Sequence, residues 1–405
     1  MELQLSHPSG HCEGNLQITG SKSETNRLLL LQALYPNIEI VNGSASDDSV
    51  AMTKALQRAT NTVDIHHAGT AMRFLTAYFS IQEGKTVELT GSSRMQERPI
   101  SILVEALRSL GAQIDYVKKE GYPPLRIQGT TFNRNEVTLS AQVSSQYITA
   151  LMLIAPRLPK GLSIHLEGNI TSLPYLKMTQ ALLNELGIQA RFEGQSIHVA
   201  PANKVNTAVQ VVESDWSSAS YFFSIVALAK QAKISLSAYK KESLQGDSGL
   251  MAIYDQLGVA SQIKGQTLWM EKKPLTTEKV LELDLTTMPD IAQTIAVTCY
   301  GLGIGCNLYG LHTLKIKETD RLEALHTELT KLGAVLKVTD KSLHLEPGQH
   351  FKVGKSIATY NDHRMAMAFA PLALKVPLSI QDSGVVSKSF PTFWKDLKAL
   401  QFLVR

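Results

Sequence analysis

A chain of 405 residues, 44% apolar and 19% charged, has the composition of a globular protein with room for two sizeable cores, not of a disordered or fibrous one. Its net charge of +4 is mild and its basic residues are scattered, so charge alone implies no nucleic-acid partner. No run approaches the roughly twenty apolar residues of a membrane helix, residues 1–10 lack a signal-like apolar core, and Cys12, Cys299 and Cys306 form no CxxC pair; a soluble protein of the reducing cytoplasm, free of membrane, is expected.

In chain order, residues 2–5 read as a short strand. Ser21-Lys22-Ser23 and then Gly69-Thr70-Ala71 are polar helix starts. Residues 86–89 form a strand, and residues 102–110 an amphipathic helix that Gly111 should stop in the left-handed conformation. Residues 113–117 and 125–128 alternate as the arms of a β-hairpin. Residues 147–155, opened by Ser144-Ser145-Gln146, are apolar nearly all round and therefore predict a buried helix.

The same order of elements then recurs. Amphipathic helices are expected at 176–186, 250–257 and 322–332, and buried ones at 220–229, 291–299 and 365–374. The buried ones open with Asp215-Trp216-Ser217-Ser218, Pro289-Asp290 and Asn361-Asp362-His363-Arg364. A strand is expected at 234–236, and a second hairpin at 335–338 with 343–345. In Ile316-Lys317-Glu318-Thr319-Asp320-Arg321-Leu322, four charges of alternating sign precede Leu322, Leu325, Leu329 and Leu332, which share one helix face. Thr319 or Asp320 should cap that helix.

Leu-Gly steps at 110, 186, 257 and 332 repeat at roughly seventy-five residues, too long a period for a solenoid, so each copy is a packed unit. One copy reads β-α-β-α-β-β. Six copies give an α/β fold of two similar domains with three copies each and buried parallel helices. The expected domains are 15–213, and 214–405 joined by an N-terminal strand from 1–14. Right-handed crossovers give every copy the same hand. Six polar helix N-termini should then face one cleft, which suits a multiply charged anion.

Basic and hydroxyl residues cluster at these starts: Lys22, Ser23 and Arg27; Arg73 behind Gly69; Arg98 before Pro99, suited to a first helical turn; Ser144, Ser145 and Gln146; Ser172 and Tyr175; Lys317, Arg321, Arg364 and Lys388. Ordinary surface cations would show no such preference. Asp290 and Glu318, carboxylates among cations, are available as bases, and His363 as an acid or base near neutral pH. As simpler roles, Asp290 could cap its helix and Glu318 could pair with a neighbouring cation. With no Walker loop, GxGxxG or HExxH, neither a metal nor a nucleotide cofactor is supported.

Read together, Ser21-Lys22-Ser23 with Asn26-Arg27, His67-Ala68-Gly69-Thr70-Ala71-Met72-Arg73, Glu97-Arg98-Pro99-Ile100, Val143-Ser144-Ser145-Gln146, Gln245-Gly246-Asp247, Lys317-Glu318-Thr319-Asp320-Arg321 and Tyr360 to Met367 closely resemble the 5-enolpyruvylshikimate-3-phosphate synthase family. The resemblance runs in order from about residue 15 to about residue 395. It implies the enolpyruvyl transferase fold, with two domains closing over the substrates. It also implies transfer of the carboxyvinyl group of phosphoenolpyruvate to the 5-hydroxyl of shikimate 3-phosphate, in the route to chorismate and aromatic amino acids. No cofactor is implied, and the protein is expected to be a monomer.

By matching motif positions, Lys22, Ser23, Arg27, Ser144, Ser145, Gln146, Ser172, Tyr175, Asp290, Thr313 and Lys317 would contact shikimate 3-phosphate. Lys22, Gly69, Arg98, Gln146, Arg321, Arg364 and Lys388 would contact phosphoenolpyruvate. Asp290 would deprotonate the attacking hydroxyl, while Lys22, Glu318 and His363 move protons.

His67, Phe74, Leu173 and Thr313 depart from the family, where Asn, Pro, Lys and Asn are common. Phe74 bears on sensitivity to the herbicide glyphosate, which Gly69, lacking a side chain, should still admit. The short interval from Asp48 to Gly69 omits roughly two strands of the first copy. The related transfer to an aminosugar nucleotide fits less well, because Arg94-Met95-Gln96-Glu97 lacks that group's reactive cysteine. An RNA-binding or RNA-end-processing role lacks the aromatic stacking pattern it would need. A catalytically dead binding protein is the remaining alternative, motivated by the omitted strands.

Overall fold

The computed structural model describes residues 1–57, 61–140, 144–168, 170, 173–206, 208–276 and 279–405. The chain packs as two compact units, one of Gly20–Val212 and one of Met1–Thr19 with Glu213–Arg405.

In the unit Gly20–Val212, Thr62–Asp64 lies parallel to Thr86–Thr90, whose other edge takes Leu125–Gln128 and then Gln113–Tyr116, both antiparallel. That last pair is the hairpin expected from alternation. A second sheet has the same plan: Glu136–Ser140 parallel to Leu162–Glu167, then Ser196–Val199 and Ala190–Glu193. The third is different. Ile38–Val41 pairs in parallel with Ala208–Val211, and among the described residues this sheet has two strands where every other has four. The helix Asp47–Gln57 is followed by Thr62–Asp64 after too few residues to hold a hairpin, so the omitted strands are the hairpin of this copy. Between the sheets run Lys22–Leu34, Gly69–Ser80 and Ser145–Ile154; all twelve residues of Gly69–Ser80 are buried.

The other unit has three four-stranded sheets. Leu3–Ser6 pairs antiparallel with Leu378–Ile380 and with Leu403–Val404. A second N-terminal strand, His11–Leu16, lies parallel to Gln231–Ser237. Val280–Asp284 is parallel to Gly305–Tyr309, which takes the antiparallel hairpin Leu336–Val338 and Leu343–Leu345. Trp216–Leu228 is buried throughout, and Ala292–Leu302 and His363–Phe369 are nearly so.

The amphipathic helices are Ser101–Leu110, Leu173–Glu185, Leu250–Gln256 and Arg321–Leu332. Gly111 (φ 119°) and Gly333 (φ 107°) end two of them in the left-handed region. Asp320 caps Arg321–Leu332, accepting from the N–H of Leu322 and of Glu323 at 3.1 Å. Leu322, Leu325, Leu329 and Leu332 are all buried; each contributes roughly 1.5–3 kcal/mol of apolar burial.

Three local expectations are corrected. The helix expected over 365–374 is α-helical only to Phe369 and continues as the 3₁₀ turn Ala370–Leu374, because Pro371 has no N–H to donate. Arg98 and Pro99 do not begin a helix: the next one starts at Ser101 with Ile100 as its cap residue. Asp290 lies inside the 3₁₀ turn Pro289–Ile291, where it makes no cap.

Candidate active site

In the unit Gly20–Val212, Ser21 caps the helix Lys22–Leu34 with its hydroxyl on the Glu24 N–H. This presents Lys22 at the helix start, 3.3 Å from the Asp48 carboxylate. One turn along, the Arg27 guanidinium is buried among neutral acceptors: the Ser23 carbonyl at 2.6 Å, Thr179 Oγ1 at 2.8 Å and the Tyr175 carbonyl at 3.2 Å. It also sits 5.8 Å from the Phe74 ring and 5.9 Å from that of Tyr175. Burial pushes its pKa down to about 10, Tyr175 and Glu24 opposing, so it is charged at neutral pH.

Gly69 opens its helix behind Ala68, which supplies no side-chain cap. A side chain at Gly69 would collide with the Arg98 guanidinium, so that guanidinium lies directly over this helix N-terminus. Arg73 fixes the local frame by donating to the Gly69 carbonyl at 3.2 Å and the Pro99 carbonyl at 3.1 Å. Burial, then repulsion from Arg98, pushes Arg73 down to about 10 as well. Ser144 caps Ser145–Ile154 through the Gln146 N–H at 3.4 Å, and the Gln146 amide donates to Thr70 Oγ1 at 3.3 Å. Leu173 is exposed at the start of its helix. Ser172 and Val143 lie outside the described residues.

In the other unit, one carboxylate gathers three cations. Asp290 Oδ1 lies 2.9 Å from Arg321 Nη1 and 3.4 Å from Lys317 Nζ, and Oδ2 lies 3.5 Å from Arg364 Nη2. Arg321 is only 2% exposed and also donates to Glu318 at 2.8 Å and Asp362 at 2.7 Å. Burial works against its charge, but Asp362, Glu318 and Asp290 more than offset this and raise its pKa. Arg321 opens its helix as expected and is turned inward, toward three carboxylates.

Asp362 caps the next helix through the Arg364 N–H at 2.8 Å and lies 3.7 Å from the His363 ring. The preceding Tyr360 (φ 53°) and Asn361 (φ 55°) are both left-handed, a strained approach that the surrounding contacts hold. Lys388 Nζ donates to the Asn361 carbonyl at 2.6 Å. Thr313 Oγ1 is buried with no hydrogen-bond partner among the described residues.

Sequence reasoning gave no role to Asp48, Asp362, Asp247 or Ser217. Asp48 pairs with Lys22, Asp362 with Arg321, and the Ser217 hydroxyl bridges Asp247 and Arg364. Acids at helix starts look like caps, and their cationic partners are distant in sequence. Among the described residues, no three His, Cys, Asp or Glu are arranged to hold a metal ion, and no helix is long and apolar enough to cross a membrane.

Comparison with known proteins gives the family and the fold. Residues 57–397 match the family described as EPSP synthase (3-phosphoshikimate 1-carboxyvinyltransferase). A 3-phosphoshikimate 1-carboxyvinyltransferase of Bacteroides fragilis is 44% identical over 410 residues, covering 100% of this chain and 99% of the relative. One from Sodalis glossinidius is 35% identical over 425 residues, covering 97% and 96%. The fold resembles the structure of EPSP synthase from Acinetobacter baumannii, with a TM-score of 0.80 at 20% identity over 100% of this chain and 99% of that one. It also resembles the enolpyruvyl transferase NikO from Streptomyces tendae, with a TM-score of 0.76 at 13% identity, covering 100% and 98%.

Proposed function

The chain belongs to the EPSP synthase family, and from that premise we propose that the site residues described above serve one reaction. It transfers the carboxyvinyl group of phosphoenolpyruvate to the 5-hydroxyl of shikimate 3-phosphate and releases phosphate, the step toward chorismate in aromatic amino-acid biosynthesis. The observation that carries the assignment of roles is the convergence of Lys317, Arg321 and Arg364 on Asp290.

In this proposal Asp290 takes the proton of the 5-hydroxyl as its oxygen attacks C2 of phosphoenolpyruvate. A second group delivers a proton to the methylene carbon, forming a methyl group. Elimination then takes a proton back from that methyl, and phosphate leaves C2 as the double bond reforms. Lys22 and His363, each at the first position of a helix, and Glu318, beside Arg321, are the candidate carriers, since each bears a titratable atom. Ser23, Arg27, Ser144, Ser145, Ser172, Tyr175, Thr313 and Lys317 hold shikimate 3-phosphate. Gly69, Arg98, Gln146, Arg321, Arg364 and Lys388 hold phosphoenolpyruvate, their cations offsetting the departing charge. The substrates are small molecules, and the proposed working form is a monomer. Three free, buried cysteines fit a cytoplasmic site of action.

Mixing the purified protein with both substrates should release phosphate, and replacing shikimate 3-phosphate by an aminosugar nucleotide should not; the reverse result would overturn the assignment. Gly69→Ala sharpens the phosphoenolpyruvate side. Its added carbon displaces the Arg98 guanidinium, so the KM for phosphoenolpyruvate should rise about tenfold or more, with kcat less affected. An unchanged KM would remove Arg98 from the binding set.

A further inference from the structure

We infer that Asp247 is a positioning residue for phosphoenolpyruvate binding, holding Arg364 in place through the Ser217 hydroxyl. The inference rests on the proposal that Arg364 contacts that substrate. Asp247 lies in the 3₁₀ turn Gly246–Gly249, and Ser217 in the first turn of the buried helix Trp216–Leu228. Both are buried, at 7% and 8% exposure. Ser217 Oγ donates its single proton to Asp247 Oδ2, so its lone pairs are left to accept from Arg364 Nη2 at 3.3 Å. An ionised carboxylate can only accept, which fixes the direction of the relay. A protonated one can donate to Oγ instead, which lets the hydroxyl proton turn toward Arg364 and set donor against donor.

The charged groups facing Asp247 come from three elements. Asp290 in the turn Pro289–Ile291 and Asp215 before Trp216–Leu228 disfavour its ionisation, while Arg364 on His363–Phe369 favours it. Burial is the largest influence, then Asp290, and the carboxyl is pushed up to about 6. The direction of the relay is therefore fixed above that pH and free to reverse below it. Arg364 has a second hold, Asp290 at 3.5 Å, but that carboxylate is shared with Arg321 and Lys317. Asp247 and Ser217 form the contact that Arg364 does not share with another cation.

Three variants test this by steady-state kinetics from pH 5 to 8, each value taken as a ratio to wild type so that ionisation of the substrate cancels. Asp247→Asn should raise the KM for phosphoenolpyruvate about tenfold at pH 8, keep kcat within about twofold, and converge on wild type by pH 5, where the native carboxyl is itself neutral. Ser217→Ala should reproduce the rise at pH 8. A ratio for Asp247→Asn that is constant across pH, or a loss in kcat alone, would overturn the inference, as would a Ser217→Ala variant with wild-type KM. Arg364→Lys separates the two levels. If it leaves the KM unchanged, the assignment of Arg364 fails. If it raises the KM while Asp247→Asn does not, only the positioning role fails.

Discussion

Asp290→Asn is expected to lower kcat by about 10³ while changing the affinity for shikimate 3-phosphate by less than about threefold. The substitution keeps size and shape, so the turn Pro289–Ile291 and the buried helix after it should be undisturbed. What disappears is the charge on which Lys317, Arg321 and Arg364 converge. Of these, Arg321 retains Glu318 and Asp362, and Arg364 retains Ser217, so both guanidinium groups stay near their places. An amide cannot take the 5-hydroxyl proton, and the attacking oxygen is left a poor nucleophile. Phosphate release measures the rate, and equilibrium titration with shikimate 3-phosphate measures the binding. Wild-type turnover would remove Asp290 as the base.

Arg321→Ala should be the most destabilising single change in the site, by about 3–5 kcal/mol. Its partner Asp362 has a side chain with 0% exposure, and without the guanidinium that carboxylate keeps, among the described residues, its backbone donor at Arg364 and the His363 ring 3.7 Å away. A buried charge that loses its counter-ion carries the full cost of desolvation, unlike an exposed pair such as Arg94 with Glu97. A urea titration of the unit that contains Arg321 should show a lower midpoint at unchanged slope. The double variant Arg321→Ala/Asp362→Ala should recover part of the loss, since the stranded charge goes with its partner. A loss under about 1 kcal/mol would mean that water reaches this network and screens it.

How much was legible in the sequence differs by kind of residue. The leucines of Arg321–Leu332, the glycines at 111 and 333, and the two alternating hairpins could be read directly, because each signal is local and the packed environment agrees with it. The motif residues were legible as cations at helix starts with Asp290 and Glu318 among them, but Asp362 as a partner of Arg321 was not. That Arg321 is enclosed by Asp290, Glu318 and Asp362 depends on residues from three separate elements meeting, which periodicity does not encode. Lys22 with Asp48, and Ser217 with Asp247, were missed for the same reason. The helix Asp47–Gln57 was also missed, since the copy it belongs to lacks its hairpin and breaks the interval that made the other copies visible.

The route of the N-terminal strands has a consequence for the order in which the chain can fold. Every described strand pairing of Gly20–Val212 joins segments within one continuous stretch, so all its partners are present once Val212 has been synthesised. The other unit joins two stretches far apart in sequence, Met1–Thr19 and Glu213–Arg405. Leu3–Ser6 must wait for Leu378–Ile380 and Leu403–Val404, which are made long after it. Pairings of such sequence separation close slowly and leave strand edges open meanwhile. During synthesis, therefore, the stretch Gly20–Val212 can be compact while Leu3–Ser6 still lacks its neighbours. The unit that holds Asp290 and its three cations is completed only once Leu403–Val404 has been made.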